Sequence, residues 1–272
     1  MKKIDIHCHT TNRKLTNTVS ESATLDTIWN LMNKYQIEKT ILLATYFPHK
    51  ESGISNFRLY DWINDSYKFR MFGSLDFENY FYQGMNELSE LAERGSIEGI
   101  KIYTCYQNID LHSNRFKQII NLTKRYDLNL MFHTGYSYST MRTQGKPAVA
   151  QLVTPKNLEF IAQENPDLNI IMSHMGKPYI NEIIEVVQNN KNVYTDTSGL
   201  IDSKHDRLQI RDEINNIKKF LAECGSEQLL FGTDFPVQTH EDSVWFVEKA
   251  MHNYTQKEKQ NVYYYNARRL LK

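Results

Sequence analysis

Eight short apolar runs recur along this chain, and the longer segments between them repeat their apolar residues about every three or four positions. A short apolar run suits a strand covered on both faces, and the longer period suits a helix packed along one side. Alternation of the two is what βαβ units and a parallel sheet produce. The runs are Lys3–His7, Thr40–Ala44, Arg70–Leu75, Gly99–Tyr103, Leu128–His133, Asn169–His174, Asn192–Asp196 and Gln228–Gly232. Eight strands can close such a sheet on itself, so the expected fold is α/β, a (β/α)8 TIM barrel. The 272 residues suffice, since barrels of about 250 residues commonly form one domain. No Gly/Ser/Pro-rich linker or shift of composition interrupts residues 1–272, so a single domain is expected.

Two connecting segments carry helix signals of their own. Phe116, Ile119, Ile120 and Thr123 share one helical face, as do Leu158, Ile161 and Ala162. Thr154-Pro155 reads as an N-cap followed by proline in the first turn, where its missing N–H removes no helical bond. Thr255–Lys272 reads as a closing helix.

Charge and cysteine content narrow the partners. Lys plus Arg and Asp plus Glu each number 32, so no net field recruits nucleic acid or an anionic membrane. Cys8, Cys105 and Cys224 are odd in number and far apart, which argues against a disulfide framework and suits a reducing cytoplasm. Asp5, His7 and His9 interrupt the N-terminal stretch before a secretory signal's apolar segment can form, and no run approaches the length of a membrane span. The expectation is a cytoplasmic chain with a small-molecule substrate, a homodimer being the possible assembly.

Asp5-Ile6-His7-Cys8-His9 carries the strongest chemical signal. Residues two apart on a strand share a face, so His7 and His9 point the same way at the strand's C-terminal end, where barrel active sites lie. Cys8 then points behind the barrel, as a packed residue. Phe132-His133-Thr134-Gly135, Ser173-His174-Met175-Gly176 and Gly232-Thr233-Asp234-Phe235-Pro236 each add a ligand-type side chain at the same end of a strand. Nitrogen ligands with one carboxylate suit Zn²⁺ or a similar ion with a position open to water. His49, His112, His205, His240 and His252 end no strand and are expected to be mostly solvated.

In order, D-I-H-C-H, G-I-K-I-Y at 99–103, F-H-T-G, S-H-M-G, D-T-S-G at 196–199, G-T-D-F-P and N-A-R-R-L-L at 266–271 resemble the amidohydrolase-related family that contains aminocarboxymuconate-semialdehyde decarboxylase. The resemblance spans essentially the whole chain. It implies a (β/α)8 barrel with metal ligands His7, His9, His133 and Asp234, and about one zinc per chain. It places a water-activating histidine at His174, which could otherwise be a further ligand or a residue that only positions water. Asp234 is expected to bind metal through one oxygen and to move a proton through the other. Tyr103-Thr104 stands where many relatives carry His-Pro, which alters the pocket rim.

Lys101 alternates with Gly99 and Tyr103 and should face the interior, where an unpaired ammonium is costly. It is read as a paired structural lysine. The alternative is the carboxylated, metal-bridging lysine of binuclear members of the wider superfamily. Tyr103, Tyr136, Tyr138, Arg142 and Lys177 follow strands four, five and six, and of these Tyr103, Tyr136 and Arg142 are the substrate-binding candidates. The reaction expected is hydrolysis of a small lactone, amide or ester through a metal-activated water. A non-oxidative decarboxylation of a small unsaturated or aromatic acid would use the same ligands, and a silent binding protein would not need them.

Overall fold

The computed structural model describes residues 1–11, 22–45, 54–64, 66–135, 153–201 and 207–272. His49, Tyr136, Tyr138, Arg142 and His205 therefore lie outside the described residues. Eight parallel strands run in sequence order: β1 Lys3–Cys8, β2 Ile37–Leu43, β3 Phe69–Gly73, β4 Gly99–Ile102, β5 Asn129–Phe132, β6 Ile170–Met172, β7 Val193–Asp196 and β8 Leu229–Leu230. Each coincides with one of the eight apolar runs. The sheet closes on itself because Ile6 N donates to Phe231 O at 3.0 Å and His9 N to Phe235 O at 2.8 Å, while Asp234 N returns a bond of 2.7 Å to His7 O. This is the (β/α)8 barrel.

A helix follows every strand: α1 Leu25–Tyr35, α2 Asn56–Ile63, α3 Phe81–Glu93, α4 Asn114–Arg125, α5 Pro155–Glu164, α6 Ile180–Asn189, α7 Arg207–Cys224 and α8 His240–Ala250. In α4 the Ser113 hydroxyl accepts from Phe116 N, and Phe116, Ile119 and Thr123 are buried as their spacing predicts. Thr154 occupies the N-cap of α5 with Pro155 at its start, and Leu158, Ile161 and Ala162 face the sheet side. The expected closing helix is two short ones, α9 Gln256–Gln260 and α10 Asn266–Leu270, joined through a π-helical turn at Asn261–Tyr265. No helix among the described residues is long and apolar enough to cross a membrane.

Alternation along the strands divides two apolar layers. Ile4, Ile6, Ile41, Leu43, Phe72, Met131, Ile171 and Leu230 fill the barrel, and Ala267, Leu270 and Leu271 seal its lower end. Asn129 fixes that seal by donating to Leu270 O at 2.8 Å. Cys8, Leu42, Ile100, Ile102 and Phe132 belong to the outer layer beneath the helices. Each Leu, Ile, Met or Phe among these, once buried, contributes about 1.5–3 kcal/mol of transfer free energy.

One irregularity determines where the chemistry goes. Ile4 and Ile6 face inward, so simple alternation would turn His7 outward. In the pairing with β2, Asp5 lies opposite Thr40 but Cys8 lies opposite Leu42, so three steps on β1 match two on β2. That bulge reverses the phase and re-aims His7 into the barrel mouth, sending Cys8 outward.

Candidate metal centre

His7 and His9 leave the top of β1, His133 follows β5, His174 lies in the turn after β6, and Asp234 follows β8. The five side chains converge. His7 Nε2 and His9 Nε2 lie 3.4 and 3.2 Å from the same oxygen, Asp234 Oδ1. The ligand atoms of His7, His174 and Asp234 all fall within 4.8 Å of one another. The His133 and His174 rings sit edge to face at 4.6 Å, with His174 Nε2 3.2 Å from His133 Nδ1. His9 is 23 % exposed and marks the open side; the others are buried.

Two residues to which the sequence reading gave no role, Asp196 and Ser198, hold this cluster in place. Asp196 Oδ1 accepts from the backbone N–H groups of His174 at 2.9 Å and Ser198 at 3.1 Å, and from the Ser198 hydroxyl. Asp196 Oδ2 faces His7 Nδ1 at 3.0 Å. The Ser198 hydroxyl oxygen also lies 2.9 Å from His7 Nδ1 and 3.0 Å from His174 Nδ1. His174 Nδ1 faces the Ser198 carbonyl at 2.9 Å. A carbonyl and a carboxylate can only accept, so both Nδ1 atoms carry hydrogen. The Nε2 lone pairs of His7 and His174 then face the site. His174 Nε2 lies 3.2 Å from His133 Nδ1, and the buried His133 Nε2 has no hydrogen-bond partner.

Electrostatics keep the donors in ligand form. Burial, then the Lys101 charge, pushes His7 down to about 3. Burial with His174 and Lys101 lowers His133 well below its ordinary value, and burial lowers His174. For the Asp234 carboxyl, burial works upward, but the His9 hydrogen bond and the facing imidazoles outweigh it and hold it far below the carboxylate range. For Asp196, too, burial is outweighed, by His7, His174 and Lys101. Neutral rings and ionised carboxylates are the states that bind a dication. The orphaned His133 Nε2 and the convergence of two imidazoles on one carboxylate oxygen fit a divalent ion.

The backbone is bent to achieve this. His174 and Asp234 adopt left-handed conformations, at φ 60° and φ 55°, so the His174 foreseen at a strand end sits instead on a turn. Gly199, at φ 59°, gives them room: a Cβ there would lie 2.5 Å from Asp234 Oδ2 and 3.0 Å from His174 Nδ1. Strained residues held by many bonds are a mark of functional sites.

The model of the amidohydrolase family matches residues 4–272. The chain belongs to that family. Comparison with curated proteins gives no match. An amidohydrolase from Burkholderia multivorans, solved with zinc bound, shares 14 % identity at a TM-score of 0.70, over 99 % of each chain. A protein described as a 2-pyrone-4,6-dicarboxylic acid hydrolase, from Acinetobacter baumannii with citric acid bound, shares 12 % at 0.70, again over 99 % of each. The 2,6-dihydroxybenzoate decarboxylase from Rhizobium shares 16 % at 0.67, over 99 % of this chain and 98 % of that one. At such identities the likeness is one of fold. Amidohydrolases are metal-dependent enzymes acting on small substrates, and this amidohydrolase carries candidate ligands at its barrel mouth.

The remaining foreseen residues divide. Lys101 is fully buried, donates to Ser173 Oγ at 2.6 Å, and is pushed down to about 8 by burial against the pull of Asp196 and Asp234. Tyr103 is buried with its hydroxyl donating to Ala44 O at 3.0 Å, beside Tyr106, whose ring meets His133 at 5.2 Å. Lys177 donates to Glu213 and to Leu200 O, both at 2.7 Å. His112 and His252 are exposed, but His240 is buried, contrary to the expected solvated ring, because it opens α8 against Phe235. The D-T-S-G segment was the one available signal for Asp196 and Ser198.

Proposed function

We propose that this amidohydrolase hydrolyses a small lactone, amide or ester, using one zinc held by His7, His9, His133 and Asp234. The observation that carries the reading is the fixed tautomer of His174: with Nδ1 committed to the Ser198 carbonyl, its Nε2 is a neutral base facing the ligand cluster. A divalent ion among these donors lowers the pKa of a coordinated water toward about 7 and polarises a carbonyl oxygen.

His174 Nε2 takes the proton from the attacking water as its oxygen bonds to the substrate carbonyl carbon. Asp234 divides its oxygens: Oδ1 faces His7 and His9, while Oδ2 lies over Gly199, placed to take the second proton of that water and pass it to the departing oxygen or nitrogen as the C–O or C–N bond breaks. His174 then releases its proton to solvent. Asp196 and Ser198 touch no substrate in this scheme; they hold His7 and His174 in the working tautomers. The nearly apolar closure beneath them, with Lys101 as the buried cation, excludes bulk water from the floor.

Turnover of a panel of small lactones and aromatic acids in ¹⁸O-labelled water tests this. Hydrolysis retains every carbon and places the label in the product carboxylate. A product lighter by CO₂, with deuterium at the vacated carbon in D₂O, would replace hydrolase by decarboxylase and leave the metal centre in place.

A further inference from the structure

Behind the strand that carries His7 and His9 lies a second group of ligand-type side chains, on the opposite face of β1. Asp5 and Cys8 come from that face, and His240 comes from the first residue of α8. All three are buried, and one ligand atom from each lies within 4.8 Å of the other two. Neither ring nitrogen of His240 has a hydrogen-bond partner, although the side chain is fully buried. Its ring is held between Phe235, at 4.9 Å, and Tyr35, stacked at 6.3 Å, and neither ring offers it an acceptor.

His240 Nε2 stands 3.9 Å from Asp5 Oδ2. That is too long for a hydrogen bond. It is close to the spacing of two ligands around one tetrahedral ion, roughly 3.3–3.8 Å for metal–ligand bonds of about 2.0–2.3 Å. Asp5 accepts from His7 N at 3.1 Å, Thr233 N at 3.0 Å and the Thr233 hydroxyl at 2.7 Å, and no lysine or arginine among the described residues pairs with it. A buried Asp5 side chain thus lacks a cation, and a buried imidazole lacks any hydrogen-bond partner, beside a buried thiol.

We propose that Asp5, Cys8 and His240 form a second, structural metal site that takes a zinc-class divalent ion. The donor set of one oxygen, one sulfur and one nitrogen suits that class. A carboxylate, a thiolate and a neutral imidazole around a dication sum to zero charge, which limits the cost of placing the ion in an apolar layer. Binding releases the Cys8 thiol proton to solvent as the metal–sulfur bond forms, with no change of oxidation state. The Thr233 hydroxyl, which donates to Asp5 Oδ2 at 2.7 Å, is a further oxygen beside the group. The ion would clamp α8 to the back of β1, directly behind the bulge that aims His7. It shares no ligand with the catalytic centre.

The catalytic set contains no cysteine, so a thiolate gives the second site its own signature. The full-length protein is stripped with chelator and titrated with Co²⁺. A thiolate-to-metal charge-transfer band with a second bound equivalent is expected in the unmodified protein, and in His133→Ala the band should persist while the catalytic equivalent is weakened. The band and one equivalent should be lost in Cys8→Ser and in His240→Leu. Absence of the band from the unmodified protein at saturating Co²⁺ would overturn the proposal without recourse to any variant. A second equivalent bound without the band, or a band that persists in both Cys8→Ser and His240→Leu, would overturn it equally.

Discussion

His7 Nδ1 donates to Asp196 Oδ2 across 3.0 Å, joining the first strand to the seventh over 189 residues of chain. Every donor on Asp196 needs an acceptor, because Oδ1 already serves His174 N, Ser198 N and the Ser198 hydroxyl. In Asp196→Asn an amide NH₂ must face one of these donors whichever way it is turned. The expected result is metal binding weakened on the order of 10–100-fold, with the fold retained. Competition against a chromophoric chelator measures it, and unchanged affinity would remove Asp196 from its positioning role.

Loss of two imidazoles should be harsher. His7→Ala combined with His9→Ala is expected to lower bound metal by about one equivalent in elemental analysis after reconstitution. Full retention would show that the four-ligand assignment is wrong.

His174 separates base from ligand. With Nε2 acting on the water, His174→Asn should keep the metal while turnover falls on the order of 10²–10⁴-fold. If the same variant loses its metal, the ring belongs to the ligand set.

Gly199 and Gly95 make a matched pair, since both adopt positive φ, at 59° and 67°. A Cβ at Gly95 meets nothing within 4 Å, whereas at Gly199 it would press on Asp234 and His174. Gly199→Ala should cost activity on the order of 10²-fold by displacing both groups. Gly95→Ala should cost stability only. Equal activity in the two variants would argue against the crowding.

Lys101 predicts a pH dependence of stability in the metal-free protein. Its ammonium is pushed down to about 8 in the fold. An unfolded lysine titrates near about 10.4. Below pH 8 both states are protonated. Between the two values the unfolded chain binds more protons, so the lysine's contribution to stability rises with pH. Relative to Lys101→Met, the unmodified protein should therefore gain stability from pH 8 to about 10.4 in urea titrations. A pH-independent difference would mean that the ammonium is not depressed.

The eight strands were legible because each is covered on both faces and so reads as an apolar run, a local property. The histidines and Asp234 were legible because strand ends are where side chains reach the mouth. Asp196 also ends a strand, yet its importance lies in what β1, the β6 turn and Ser198 direct at it, and such non-local donors leave no trace in spacing. The bulge was equally hidden: Ile4 and Ile6 point inward, and strict alternation would have put His7 outside. His240 was misread as solvated because its burial depends on Phe235 and Tyr35, neither of them its neighbour on the helix. Tyr103 was legible as inward-facing, but its hydroxyl's commitment to Ala44 depends on β2.

The barrel is sewn shut at its weakest seam, where β8 contributes only Leu229–Leu230 and the backbone bonds of Ile6, His9 and Asp234 do the closing. His7 and His9 stand on one side of that seam and Asp234 on the other, so an ion bound as proposed would be a rivet across it. Opening the seam and releasing the ion become one equilibrium, each drawing on the other's free energy. At free metal 100-fold above its dissociation constant, the closed form gains about 2.7 kcal/mol over an opened one that does not bind. Under the proposed ligand set, substrate chemistry and the closed cylinder would both draw on the ion held at this seam.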